Sequence, residues 1–317
     1  MKANRIRLQD FSTAPMRAFH MTWVAFFLCF FAWFGIAPLM PVVRQELGLS
    51  AVQVADAAIA SVAITILARL VVGWFCDRYG PRRVYAWLLV LGAVPVAAMA
   101  VVTNYHQFLA ARLAIGAIGA SFVVTQCHTS AMFSPRVVGA ANATAAGWGN
   151  LGGGVAQMLM PAIMAGFLAL GVSKSGAWRL CMLVPAVAMC VVAWAYLRWT
   201  QDTPTGNVGA PGVVFEGKKQ GAFWAAFADV RVWSLAVIYG ACFGIELTIH
   251  NVAALYFHDR FHLGVGAAGM VAGTFGALAL FARALGGYLG DRAGEWKQLR
   301  GRAWLLGVLL ASEGLGL

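Results

Sequence analysis

Apolar residues run along this chain in blocks too long for the strands or core helices of a water-soluble domain. From Arg17 to Arg44 no charged residue occurs. Further apolar stretches at about 52–75, 84–103, 107–132, 138–169, 178–197, 232–257 and 265–290 each reach the ~18 residues that cross a bilayer as a helix. With the first block, at about 19–43, they predict eight complete membrane helices. That first block is too long and too aromatic for a cleaved leader. A ninth helix begins near Arg302. From Ala303 to Leu317 it covers only about 22 Å of a ~30 Å hydrocarbon core, so the chain reads as C-terminally truncated to about nine helices. The one long polar connection, residues 201–230, carries Pro204, Gly206, Pro211, Gly212 and Gly217. It separates a six-helix half (1–200) from a partial second half (231–317).

Composition agrees with the pattern. Of 317 residues, 61% are hydrophobic and 11% charged, against roughly 45–50% and 25% in soluble domains. A soluble enzyme, a nucleic-acid binder and a disulfide-stapled module are excluded. The net charge of +11 reflects topology. The N-terminal tail and the connections after helices 2, 4, 6 and 8 hold 16 of the 23 Lys and Arg residues, the opposite connections four (Arg44, Lys174, Arg179, Arg260). The positive-inside rule therefore places the N-terminus in the cytoplasm. Arg69, Arg112 and Arg283 remain, inside predicted helices. The six cysteines lack metal or redox spacing and read as small buried residues.

At an offset of 214 residues, Ala68-Arg69-x-x-x-Gly73-x-x-x-Asp77-Arg78-x-Gly80 falls on Ala282-Arg283-x-x-x-Gly287-x-x-x-Asp291-Arg292-x-Gly294. Both copies end even-numbered helices, as a parallel repeat of six-helix halves requires. The string G-x-x-x-D-R-x-G-x-R at Gly73–Arg82 resembles the helix 2–3 loop signature of the major facilitator superfamily. Its physical reading is a gate. Asp77 at a helix C-terminus tethers a neighbour and Arg78 and Arg82 face the anionic inner leaflet, with Asp291 and Arg292 as repeat-mates.

Helix 5 contains Gly147-Trp148-Gly149-Asn150-Leu151-Gly152-Gly153-Gly154-Val155-Ala156-Gln157. Gly147–Gly152 matches a dinucleotide fingerprint literally, but no strand precedes it and no acid lies between Asp77 and Asp202, so that reading fails. Gly147, Gly149, Gly152, Gly153 and Gly154 read as close helix packing. Asn150 and Gln157 are amides left at membrane depth.

This string, with Phe34-Gly35-Ile36-Ala37-Pro38-Leu39, Ala68-Arg69, Ser121-Phe122, Phe243-Gly244-Ile245-Glu246-Leu247-Thr248 and Ala282-Arg283, resembles the nitrate/nitrite porter family of the major facilitator superfamily. The resemblance implies an all-α major facilitator fold with twelve helices in the family. It also implies nitrate and/or nitrite as substrate, no cofactor, and Asn150 and Tyr239 hydrogen-bonding the anion while Phe122 and Phe243 pack on its faces.

Independently of the family, Arg69 lies roughly 12 Å along its helix from Asp77, deep in the hydrocarbon layer, and Arg283 is its repeat-mate. Each buried guanidinium calls for a counter-charge. An arriving planar oxyanion supplies one that the fork can grip at two oxygens. The pair is expected in one central cavity. Arg112 reads as structural, and His258, Asp259 and His262 as solvated loop residues rather than a metal site.

Glu246, the one acid inside helix 7, is the candidate proton carrier. In a full-length protein, Glu246→Gln is expected to keep nitrate binding and exchange but lose proton-driven uptake, and the 317-residue chain alone is expected not to transport. The sequence thus predicts a monomeric, multi-pass, alternating-access transporter of a bacterial inner membrane, partnered by nitrate or nitrite, protons and lipid. A nitrate/nitrite antiporter and a non-transporting nitrate receptor are the alternatives. An intramembrane enzyme would need a nucleophile or metal constellation that the sequence does not supply.

Overall fold

In the computed structural model, residues 2–211, 213 and 222–316 are described; for residues 222, 223, 279, 283, 284, 287, 288, 291, 297 and 299 this covers the backbone only. The described residues are mostly helical, and among them eight helices are long and apolar enough to cross a membrane. They stand where the eight apolar blocks lie. In order, the α-helices are α1 (Ala14–Phe34), α2 (Met40–Leu47), α3 (Ala51–Tyr79), α4 (Pro81–Ala98), α5 (Tyr105–Ile115), α6 (Ser121–Met132), α7 (Val138–Ala169), α8 (Lys174–Trp199), α9 (Ala222–Ala228), α10 (Val230–Phe261) and α11 (Val265–Gly316). The end of the bundle bearing the N-terminal tail is called the near side, the opposite end the far side.

Two predicted helices are broken, the first for a local reason and the second for a tertiary one. The first crosses as α1, a 3₁₀ turn over Ala37–Leu39, and α2. Pro38 and Pro41 cannot donate to the preceding turns, which divides the span. The fourth crosses as α5, a 3₁₀ turn over Gly116–Ala120, and α6. There a β-carbon on Gly116 would sit 2.4 Å from the Ser61 carbonyl oxygen, and one on Gly119 would sit 2.5 Å from the Trp33 ring. The Thr65 hydroxyl donates to the Gly116 carbonyl at 2.7 Å, occupying an acceptor that the tighter turn releases. The α3 start needs no such help: Ser50 and Gln53 form a reciprocal capping box.

α11 is helical over 52 residues where the sequence predicts a connection before a ninth helix, yet it is not straight. Gln298 has φ 50°, a left-handed value that turns a helix. A β-carbon on Gly294 would meet the Arg302 side chain at 2.7 Å, and the Cys242 thiol lies beside Glu313. At ~1.5 Å per residue a straight α11 would carry Glu313 about 72 Å from its far-side start, whereas Cys242 lies only about 28 Å from the far end of α10. Reversal at Gln298 brings Glu313 back to about 27 Å. α11 is therefore two antiparallel limbs, and the second stands beside α10. Of the 201–230 connection, residues 212 and 214–221 lie outside the described residues.

The N-terminal half packs around α1, whose Phe19, Phe26, Phe30, Trp33 and Phe34 are fully buried. The second half meets it through α7 against the first limb of α11 and through α10 against the α1–α2 break. Along α10, residues 230–237 are exposed, while Phe243, Leu247, His250, Asn251 and Ala254 are buried. The halves thus join in the middle and far side of the bundle.

Candidate functional site

Arg69 on α3 sits between aromatic rings from both halves. Its Cζ lies 5.8 Å from the Phe122 centroid and 5.8 Å from the Phe243 centroid. Such placement over ring faces stabilises a cation by about 0.5–2 kcal/mol, more as water is excluded. Rings neutralise no charge, and among the described residues Arg69 makes no hydrogen bond or ion pair. Its Nε is buried and unpartnered. Leaving such a buried donor unmade costs ~1–3 kcal/mol or more.

The glycines of α7 set this geometry. A β-carbon on Gly149 would lie 1.9 Å from the Phe26 ring, so only glycine lets Phe26 press against α7. Phe26 in turn packs on Phe122 at 5.8 Å, which positions the lower face of the Arg69 sandwich. Gly152 admits the backbone of α1: a β-carbon there would be 2.0 Å from the Phe27 carbonyl oxygen. Gly153 faces Phe34 and His250 at 3.2 Å, and Gly154 meets Gly276 and Gly273 of α11 at 2.8 and 3.1 Å. Gly147 is buried in the same helix. Successive glycines thus serve α1, α10 and α11, which one small-residue stripe could not.

Asn150, between these glycines, is buried and donates to Glu246 Oε1 at 3.5 Å. Glu246 is one turn beyond Phe243 on α10, so this bond crosses the halves close to the sandwich. Tyr239 stacks on Phe243 at 5.1 Å and 20° and is 43% exposed, at the near-side mouth of the cluster. Arg69, Phe122, Phe243, Tyr239, Asn150 and Glu246 are therefore brought together. The side chains of Arg283 and Asp291 lie outside the described residues.

Other residues hold the halves on the far side. Arg112, 3% exposed, donates to Asn251 Oδ1 at 2.5 Å and to the Trp33 carbonyl at 3.1 Å. Arg44 forms a two-pronged ion pair with Asp259, at 2.6 and 2.9 Å. Asp259 and His258 belong to the last turns of α10 rather than a loop, and His258 Nδ1 meets the Leu263 carbonyl at 2.7 Å. No metal-binding group of His, Cys, Asp and Glu occurs among the described residues.

The near-side motif read from the sequence as a gate differs from expectation in its tether. α3 and α4 are joined by Gly80 alone, at φ +83°. Asp77 and Arg78 are exposed, and Asp77 has no hydrogen bond or ion pair among the described residues. Arg78 lies over Trp74 and Tyr79 at 5.5 and 5.6 Å. The tether is Asp202, just past α8: it accepts from the backbone N–H of Arg82 at 2.8 Å and of Val208 at 2.9 Å, capping the start of α4. The Arg82 guanidinium turns to the Leu197 carbonyl instead of the lipid surface. Gly73 packs loosely, its β-position 3.7 Å from Val123. Arg292 makes an exposed i,i+3 pair with Glu295 at 3.6 Å.

Sequence reasoning missed Phe26, Asn251 and Asp202. Only Asn251 carried a signal, being a polar residue within an apolar block four residues from Leu247, whose carbonyl takes its amide at 3.0 Å.

A two-half helical bundle with a charged, aromatic-lined site between the halves is the architecture of the major facilitator superfamily, and that superfamily's profile matches residues 22–313. The chain is 40% identical over 317 residues to a High affinity nitrate transporter 2.5 of Arabidopsis thaliana, covering 99% of this chain and 63% of that protein. It is 28% identical to a Nitrate/nitrite transporter NrtP of Nostoc punctiforme, covering 95% and 72%. The chain belongs to the nitrate/nitrite porter family. It spans less than two thirds of the Arabidopsis relative's length. Among solved structures, a bacterial homolog to the human lysosomal transporter Spinster, inward-facing and unoccupied, superposes with a TM-score of 0.70 at 16% identity, covering 91% of this chain and 64% of that one. That likeness concerns the fold alone.

Proposed function

We propose that the protein transports nitrate or nitrite by alternating access, binding the anion at Arg69 between Phe122 and Phe243. The observation that carries this reading is the Arg69 sandwich, a cation held by rings from both halves with a buried, unmade donor. A planar trigonal oxyanion presents two oxygens to a guanidinium edge and a flat face to each ring. Asn150 and Tyr239 supply further hydrogen bonds. The names of the relatives in Arabidopsis and Nostoc support nitrate or nitrite as the anion.

Far-side closure by Arg44–Asp259 and Arg112–Asn251, with the near part of α10 exposed, supports a state open to the near side. The Lys and Arg bias makes that side cytoplasmic, in a bacterial inner membrane. Glu246 carries the coupled proton: its carboxylate is bridged to the site through Asn150, so a proton on it and an anion on Arg69 favour each other.

Calorimetric titration of the protein with nitrate in buffers of different ionisation enthalpy tests the reading. Binding accompanied by proton uptake is expected, with Arg69→Gln abolishing binding and Glu246→Gln abolishing only the proton uptake. Absence of nitrate and nitrite binding would overturn the substrate. Nitrate binding without proton uptake in the wild type would move the mechanism to nitrate/nitrite exchange, and proton uptake unchanged in Glu246→Gln would take the proton from Glu246.

A further inference from the structure

On one flank of the N-terminal half, α1, α7, α8 and the N-terminal segment line an open cavity of about 650 Å³ that the anion site does not use. Its floor is one face of α1, where Arg17, His20, Met21 and Val24 follow at helical spacing. Trp148 of α7 and Trp199 of α8 form its walls, and Leu8 and Phe11 of the N-terminal segment cover its near end, Phe11 stacked on His20 at 4.4 Å. From Arg17 to Val24, and from the start of α7 to Trp148, the cavity runs about 10–15 Å into the bundle, comparable to one leaflet of a ~30 Å hydrocarbon core.

Polarity is graded along that depth. Arg17 at the rim donates to the Ser12 and Trp199 carbonyls, and among the described residues it has no carboxylate partner. The nearby acid, Asp10, is engaged by Ser12 and Thr13. His20, next inward, is 9% exposed. Its Nδ1 accepts from the Trp23 indole N–H at 3.2 Å. Because indole can only donate, the proton of neutral His20 sits on Nε2. That nitrogen is buried and makes no hydrogen bond among the described residues. Below it, Met21 and Val24 present only apolar surface.

The geometry points to a binding site for one anionic phospholipid. Its phosphate pairs with Arg17, a glycerol-ester oxygen accepts from His20 Nε2, and an acyl chain lies along Met21, Val24 and Trp148. The occupant is identified by order as well as charge: cation, then neutral donor, then apolar floor matches headgroup, ester and chain. Trp199, beside Arg17 at the rim, is the kind of side chain that favours a bilayer interface.

Native mass spectrometry and thermal unfolding of the purified protein with phosphatidylglycerol, phosphatidylcholine or soluble glycerol phosphate test the site. One retained phosphatidylglycerol and a higher unfolding temperature with it than with phosphatidylcholine are expected, with no effect of glycerol phosphate alone. Arg17→Gln should reduce the preference for the anionic lipid by roughly five- to tenfold, the factor one juxtamembrane cation contributes, while leaving phosphatidylcholine binding unchanged. Val24→Trp, which fills the groove, should exclude both lipids. Equal lipid occupancy in the wild type and both variants would overturn the proposal, as would stabilisation by glycerol phosphate equal to that by the lipid.

Discussion

Gly154 stands at the seam where the two halves come closest, and replacing it by alanine tests whether that seam sets the architecture. A β-carbon there would lie 2.8 Å from the Gly276 Cα and 3.1 Å from the Gly273 carbonyl oxygen. Carbon atoms rest at roughly 3.5–4.0 Å, so α11 must retreat by roughly 0.7–1.2 Å, and both obstructions are backbone that cannot rotate away. Overpacking of this kind costs ~1–3 kcal/mol, offset by the ~0.8–1.0 kcal/mol by which alanine exceeds glycine in a helix. Gly166, in the same helix, meets nothing within 4 Å, so Gly166→Ala collects the propensity gain alone. The two variants make the same chemical change, and their difference of about 1–3 kcal/mol isolates the seam. Thermal unfolding in one detergent should separate them by several degrees, Gly166→Ala above the wild type and Gly154→Ala below it. Parallel shifts of the two would show that the halves are not packed through Gly154, and the placement of α7 against α11 would fall.

Further outcomes follow from the same contacts. Asn251→Leu removes the carbonyl that receives Arg112 and leaves a buried guanidinium short of an acceptor, at a cost of about 1.5–3 kcal/mol; Asn251→Asp, which adds a counter-charge, should be milder in the same unfolding assay. Arg44→Gln loses a pair whose side chains are 33% and 40% exposed, so stability should fall by less than ~1 kcal/mol, while thiol labelling of cysteines introduced on the far side should quicken markedly. Asp202→Ala uncaps α4 and should cost ~1 kcal/mol or somewhat more, measured by unfolding, whereas Asp77→Ala should leave stability almost unchanged.

The membrane helices were legible because each apolar block had to be long enough to span a bilayer, and α7 falls at the predicted residues 138–169. The breaks at Ala37–Leu39 and Gly116–Ala120 were less so. Pro38 gave a hint of the first, but the second follows from Ser61 and Trp33 pressing on glycines more than 50 residues away, a contact no local pattern contains. The turn at Gln298 lay within the expected connection, yet its sharpness, one left-handed residue, has no signature in a polar, charged stretch. At the site, Arg69, Asn150 and Glu246 stood out as polar groups at membrane depth. Phe26 did not, since the run from Phe26 to Phe34 is uniformly aromatic or apolar and only the void at Gly149 selects one ring. Asp77 was singled out by its motif, but the acid that caps α4 is Asp202, whose place depends on how α8 ends.

The central claim is that Arg69 is the anion-binding group, and equilibrium nitrate binding to the purified protein tests it most directly through Arg69→Lys and Arg69→Gln. Lysine keeps the charge but loses the planar fork that lies between Phe122 and Phe243, so it should weaken binding by about tenfold or more, the worth of one charge-assisted hydrogen bond. Glutamine should abolish binding, with the wild type preferring nitrate over tetrahedral sulfate at equal concentration. Nitrate binding of wild-type strength in Arg69→Gln, with the variant folded, would contradict the account.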